Sequence, residues 1–222
     1  MGLRLLAVTA LTLAASAAPA VAATVAPLKP CYVSAGEAPE ERENVVIAGE
    51  GFTPEALVDI LVDGILAASP QAGAVGELSG TIDAPPRESG EAPFTVVVRD
   101  RTNPALVVTR QSRVTDLDVR MRPLEAQPSD RVRLRGRGFT RNAPVWAHYT
   151  FDGEEKRTVR LARRPKGPCG TFAVRRRQIP IANPRSGDWT IQIDQRRRYF
   201  AQPRPVWVRV PVTVTRTLGV VP

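Results

Sequence analysis

From Val45 onward the chain runs in short stretches where apolar and polar side chains alternate one for one, each bounded by glycine, proline or Asp-Gly. Alternation of period two is what a half-buried strand requires, because successive side chains point to opposite faces. No stretch shows the spacing of an amphipathic helix. In 131–137, Val132 and Leu134 are predicted to face a core and Arg131, Arg133, Arg135 and Arg137 to face solvent. Val58, Ile60 and Val62 alternate in the same way, as do Val145, Ala147 and Tyr149. Further strands are predicted at Leu78–Ile82, Ala105–Thr109, Thr158–Ala162, Phe172–Arg176 and Val206–Val214. Asp63-Gly64 and Asp152-Gly153 each close an alternating run, which is a hairpin signal. The 21 prolines would break helices but are tolerated at strand ends, edges and turns. The pattern predicts an all-β protein of antiparallel sandwiches.

The pattern also repeats. VVIAGEGFTP at 45–54 aligns with VRLRGRGFTR at 132–141, pairing Gly49 with Gly136, Gly51 with Gly138 and Phe52 with Phe139. At lower fidelity GEAPFTVVV at 90–98 aligns with GDWTIQI at 187–193, which pairs Phe94 with Trp189 and assigns both to the core. The Gly-x-Gly-Phe-Thr-Pro element at 49–54 and its second copy at 136–141, each followed by a strand and Asp-Gly, resemble the start of IPT/TIG-like immunoglobulin-like domains of bacterial exported proteins. The resemblance implies a tight glycine bend between two strands, an aromatic packed between the sheets, and a binding or spacing role with no catalytic residues to carry over. The second copy departs from the pattern, with Arg141 where proline is usual. The expected architecture is therefore two tandem immunoglobulin-like antiparallel β-sandwiches.

At the N-terminus, Arg4 precedes an apolar stretch from Leu5 to about Ala15 and the small residues Ala18, Pro19, Ala20, Val21, Ala22 and Ala23. That order reads as a secretory signal peptide with cleavage after Ala22 or Ala23. Thr9, Thr12, Ser16 and Pro19 interrupt the stretch, so it lacks the sustained apolarity of a membrane span. We expect a signal peptide at 1–23, one domain at 24–116 and a second at 117–222, joined with almost no linker. The mature chain is expected to have no transmembrane segment and to lie in the extracellular space or the cell envelope. In such an oxidising compartment the two cysteines, Cys31 and Cys169, favour a disulfide. An intermolecular bridge and two buried thiols are the open alternatives, and two soft ligands are too few for a metal site.

Charge separates the halves. Residues 24–117 hold 7 Lys/Arg against 14 Asp/Glu, and residues 118–222 hold 23 against 8, so the halves carry −7 and +15. The basic clusters Arg163-Arg164-Pro165-Lys166, Arg175-Arg176-Arg177 and Arg196-Arg197-Arg198-Tyr199 form a candidate polyanion patch, the last expected to cap a hairpin. Its bland counterpart is a solvated basic face. Trp146 and Trp207 are candidate exposed aromatics, and His148, the single histidine, is expected to be exposed on the face opposite the core. The expected partners are an anionic envelope polymer or a protein, with no specific nucleic acid. No Walker loop, nucleophile elbow or zinc-ligand spacing is present, and the acidic segment Glu37, Glu40, Glu41, Glu43 lacks the pattern of a calcium loop. No cofactor, metal or catalytic residue is expected. The alternative is an accessory domain of secreted hydrolytic machinery, or an enzyme drawing on Asp59, Asp63, Asp152, Glu154 and Glu155. A cleft that gathers those carboxylates would favour it.

Overall fold

The structure is a computed structural model that describes residues 22–35, 41–201 and 207–215. The signal-peptide reading falls outside these residues except for Ala22 and Ala23, and Glu37 and Glu40 also lie outside them. The elements are strands throughout: β1 (Thr24–Val25), β2 (Tyr32–Val33), β3 (Asn44–Glu50), β4 (Val58–Val62), β5 (Ile65–Ala68), β6 (Leu78–Asp83), β7 (Glu91–Asp100), β8 (Val107–Thr115), β9 (Asp118–Arg122), β10 (Arg131–Arg137), β11 (Val145–Phe151), β12 (Glu154–Ala162), β13 (Phe172–Arg177), β14 (Gly187–Asp194) and β15 (Trp207–Val214). The predicted strands are all present among the described residues; Val206, the first residue of the strand expected at Val206–Val214, lies outside them. The strand expected at Ala105–Thr109 begins later and runs to Thr115, and that at Thr158–Ala162 begins earlier, at Glu154.

In the N-terminal half, sheet β1-β3-β6 faces sheet β2-β8-β7-β4-β5, with β2 parallel to β8 and all other pairs antiparallel. In the C-terminal half, the antiparallel sheet β9-β10-β13 faces β12-β11-β14-β15. Each half encloses its own apolar cluster, one including Val45, Ile47, Ile60, Phe94 and Val98, the other including Val132, Leu134, Tyr149, Trp189 and Ile191. In both halves two strands of one sheet pair although two strands of the opposite sheet separate them in sequence (β3 with β6, β10 with β13). That crossover is the Greek key of an immunoglobulin-type sandwich.

The repeated glycine motif makes the same corner in both halves. Gly51 and Gly138 have φ of 80° and 88°, and a Cβ at either would lie 2.9 Å from the Ala22 carbonyl or 2.8 Å from the Asp116 carbonyl. Only glycine combines that dihedral with so close an approach. The corner aims Phe52 and Phe139 inward, 3% and 0% exposed. Asp63-Gly64 and Asp152-Gly153 both have positive φ and join β4 to β5 and β11 to β12 as two-residue hairpin loops, the geometry that matches strand twist.

The halves are tied covalently by the Cys31–Cys169 disulfide across 138 residues. A second tie lies at the junction. Asp116, 8% exposed, accepts from the backbone N–H of Gly90 at 3.0 Å and from both Nε and Nη2 of Arg137, the latter at 2.6 Å. Replacing both cysteines by serine should lower unfolding stability by roughly 4–5 kcal/mol in the chain-entropy account. Urea unfolding of the oxidised parent and the double variant measures it; equal midpoints and slopes would mean that the bond constrains little.

Candidate polyanion-binding faces

On β10 the residues that bury Val132 and Leu134 leave Arg131, Arg133 and Arg135 exposed on the outer side of the sheet. Register then adds its neighbours. Arg133 lies between Arg122 of β9 and Arg175 of β13, Arg135 lies between Arg120 and Ala173, and Arg131 lies beside Arg177. Cross-strand neighbours stand about 5 Å apart and next-but-one residues of a strand about 7 Å apart, so the outer face of this sheet is a two-dimensional array of guanidinium groups. Carboxylates meet it at one end only. Arg120 pairs with Asp118 at 2.8 Å, and Arg137 pairs with Asp116 and, at 3.3 Å, with Asp118. Hydrogen bonds donated to Asp116 hold the Arg137 pKa above its ordinary value against the opposing effect of burial. Arg122, Arg131, Arg133, Arg135, Arg175 and Arg177 form no ion pair among the described residues.

At the paired end the array runs into a groove of about 500 Å³. Arg120, Arg135, Arg137, Arg164 and Lys166 line it together with the Asp118 carboxylate, and Ala162, Phe172 and Ala173 contribute its apolar lining. The loop carrying Arg164 and Lys166 is held in place: Lys166 and Thr171 exchange backbone hydrogen bonds of 2.7 Å, Gly138 donates to the Cys169 carbonyl at 3.0 Å, and Cys169 carries the disulfide.

The sequence-predicted patch is thus divided. Arg164, Lys166, Arg175 and Arg177 join the array. Arg163 is exposed beside the groove without lining it. Arg176 sits in register with inward-facing Val132 and borders the core near Tyr149. Burial pushes the Tyr149 hydroxyl up to about 12, with Arg176 and Arg157 opposing the shift. Arg196, Arg197, Arg198 and Tyr199 lie over the other sheet, across the core. The array members Arg120, Arg122, Arg131, Arg133, Arg135 and Arg137 were not part of the sequence-predicted patch. Their signal is Arg-x-Arg alternation in two separate runs, 120–122 and 131–137, which becomes one surface with Arg175 and Arg177 only through strand register.

The expected exposure of His148 is corrected by the structure. The residue does face away from the core, but it is 0% exposed, because the connection after β14 folds back across the outer face of β11 and β14. His148 Nε2 lies 3.0 Å from the Arg196 carbonyl and 3.4 Å from Asp194 Oδ1, and Nδ1 lies 2.8 Å from Thr158 Oγ1 and 3.1 Å from Glu155 Oε1. Gln192, also buried, donates to the Phe200 carbonyl at 2.9 Å and to Asp194 at 3.0 Å. Arg209 donates to the Ala201 carbonyl at 2.9 Å. Burial alone would lower the His148 pKa, but the hydrogen bonds to Asp194 and Glu155, the Asp194 charge and the Arg196 carbonyl outweigh it and hold the pKa above the ordinary value. The geometry agrees, since a carboxylate on each side of the ring suits an imidazolium with both nitrogens donating.

Trp146 and Trp207, candidates for exposure, are both half-buried, Trp207 beneath the Arg209 guanidinium at 4.5 Å. Trp189 is in the core as expected. The acidic residues weighed for catalysis are dispersed. Asp59 is bound by Ser69, Arg99 and Arg101, Asp63 and Asp152 sit in hairpin turns, Glu154 pairs with Lys156 at 2.5 Å, and Glu155 meets His148. Among the described residues no three His, Cys, Asp or Glu gather as metal ligands, and no helix is long and apolar enough to cross a membrane.

No protein-family model matches the chain, and no curated protein does. Among solved structures, the chain is similar over 89% of its length to one concerned with host cell surface retention of a 1.5-MDa bacterial ice-binding adhesin, at 14% identity and a TM-score of 0.31, covering 65% of that structure. It is similar over 87% to the human OSCAR ligand-binding domain, at 12% identity and a TM-score of 0.34, covering 97% of it. Red sea bream transglutaminase is matched over 90% of this chain and 32% of its own, at 10% identity and a TM-score of 0.28. The chain thus spans just under two thirds of the adhesin structure and about a third of the transglutaminase. Likeness this loose, among proteins of such different kinds, carries no functional assignment.

A raised histidine pKa stabilises the fold fully below the unfolded value of about 6.5 and loses that contribution as pH rises through the folded value. His148 is the single histidine of the chain, so its ring proton resonances can be followed by NMR titration without ambiguity. We expect a midpoint above 6.5 and a stability advantage over His148→Gln that is larger at pH 5.5 than at pH 9. A midpoint below 6.5 would show that burial dominates and the ring is neutral.

Proposed function

We propose that this protein is an exported, non-catalytic binding module of the cell envelope or extracellular space, whose C-terminal sandwich holds an anionic polymer along its arginine face. In this reading residues 1–23 are a cleaved export signal, 24–116 form an acidic domain of IPT/TIG-like type that spaces or carries, and 117–222 form the basic domain that makes contact. The observation that carries the reading is the row Arg122–Arg133–Arg175 and its neighbours on one sheet face, with no carboxylate paired to that row. Like charges directly opposite one another cost folding stability, and a polymer of repeating anionic groups would relieve that repulsion. Arginine suits the task because its planar fork meets carboxylate, sulfate or phosphate with two parallel hydrogen bonds.

The same face is poorly suited to a protein partner. Protein interfaces centre on apolar and aromatic anchors with charge at the rim, and here charge occupies the centre. Export is supported by the Cys31–Cys169 disulfide, a bond that persists in oxidising compartments.

The test measures binding of the purified chain to a sulfated polysaccharide, a carboxylated polysaccharide and polyphosphate over a range of salt, beside the variant Arg122→Ser/Arg133→Ser/Arg175→Ser. We expect salt-sensitive binding to at least one polymer. In the variant the slope of log affinity against log salt should fall by roughly one for each arginine removed. Preference within the panel identifies the anionic group. Equal affinity and slope in parent and variant, or no binding at low salt, would reduce the array to a solvated surface.

A further inference from the structure

The opposite side of the same sandwich carries a second, differently built cationic feature. A turn between antiparallel strands needs only two residues, yet the connection from β14 to β15 spans 195–206. Its first part, 195–201, lies across the outer face of the four-stranded sheet as a flap. The flap is anchored along its length. Gln195 donates to the carbonyls of Arg141 and Ala143 at 2.7 and 2.9 Å, the Arg196 N–H donates to Asp194 at 2.7 Å, and the carbonyls of Arg196, Phe200 and Ala201 are met by His148, Gln192 and Arg209. Tyr199 packs on the His148 ring at a centroid distance of 5.8 Å, and the Arg196 guanidinium lies over Phe200 at 5.5 Å.

A sheet face is covered more simply by apolar side chains than by a buried polar network, whose groups each need a partner. What this network achieves is a fixed position for a loop whose outward groups are Arg197 and Arg198. They form no ion pair among the described residues. Across from them stands the β12 edge, where Lys156, paired with Glu154, and Arg157, in register with inward-facing Tyr149, line an open cleft of about 780 Å³ together with Arg197, Arg198 and Tyr199. Glu155 also lines it but is engaged by His148 and Thr158.

This cleft and the arginine array face away from each other. Sheets β9-β10-β13 and β12-β11-β14-β15 pack through the core that contains Val132, Leu134, Tyr149 and Ile191, and packed sheets stand roughly 10 Å apart, so a straight polymer segment lying along one outer face cannot reach the other. We propose that the flap cleft formed by Arg197, Arg198, Tyr199 and the β12 edge is a second polyanion site, so that one molecule bridges two strands of the polymer. The inference rests on the array being the first site. It makes the protein a crosslinker of anionic polymer, and the buried polar groups under the flap are the means by which the second site is held rigid.

The experiment separates the two readings. Heparin is immobilised on beads, the full chain is bound, and a fluorescent sulfated hexasaccharide, too short to wrap the sandwich, is offered. The parent should bind the beads and recruit the hexasaccharide. Arg197→Ser/Arg198→Ser should bind the beads within about twofold of the parent yet recruit at least tenfold less. Circular dichroism confirms that these exposed substitutions leave the fold intact, and sedimentation of the free chain checks that recruitment is by monomers. Recruitment unchanged in the double variant, or bead binding by the parent without recruitment, or recruitment that appears only with dimers, would overturn the bridging inference while leaving the array reading in place. Absence of bead binding by the parent would overturn both.

Discussion

Strand β10 buries Val132 and Leu134 only by turning Arg131, Arg133, Arg135 and Arg137 to the other side. A strand has two faces and a period of two, so the apolar set and the charged set are locked together. A slip of one residue would put arginines into the core. The core therefore enforces the arginine array and keeps it regular and outward. The flanking strands obey the same rule: Met121 faces in between Arg120 and Arg122, and Val174 faces in before Arg175.

An array of like charges opposes its own sheet, and the structure shows where that opposition is met. Asp116 and Asp118 neutralise the end nearest the junction, through Arg137 and Arg120, while the Gly138 corner and the disulfided loop brace the edges covalently and through the backbone. The middle of the array keeps its charge.

The flap over the second sheet follows a different principle. There the outer face is covered, and the cover is held by groups that would be costly to bury unpartnered. His148, Asp194 and Gln192 are each 1% exposed or less, and all three find partners on the flap or on each other. His148 also couples this cover to proton concentration, because its positive form is the one that satisfies Asp194 and Glu155 together.

Much of this molecule is legible from alternation and turn chemistry. The strands, the Asp-Gly hairpins, the two copies of the Gly-x-Gly-Phe corner and the core positions of Phe94 and Trp189 all follow from local sequence, since each depends on residues within a few positions of one another. The even cysteine count favours a disulfide, and the structure pairs Cys31 with Cys169 within one chain. What local sequence does not contain is register across the sheet and the path of a long connection. Register decides that Arg122, Arg133 and Arg175, far apart in the chain, form one row, and that Arg176 leaves it. The path of 195–201 decides that Arg196, Arg197 and Arg198 belong to the opposite side and that His148, on an outer face by its alternation, is sealed from water. Alternation determines which face of a strand a side chain takes; only the tertiary structure decides what else comes to lie on that face, because that depends on contacts between segments the chain brings together from a distance.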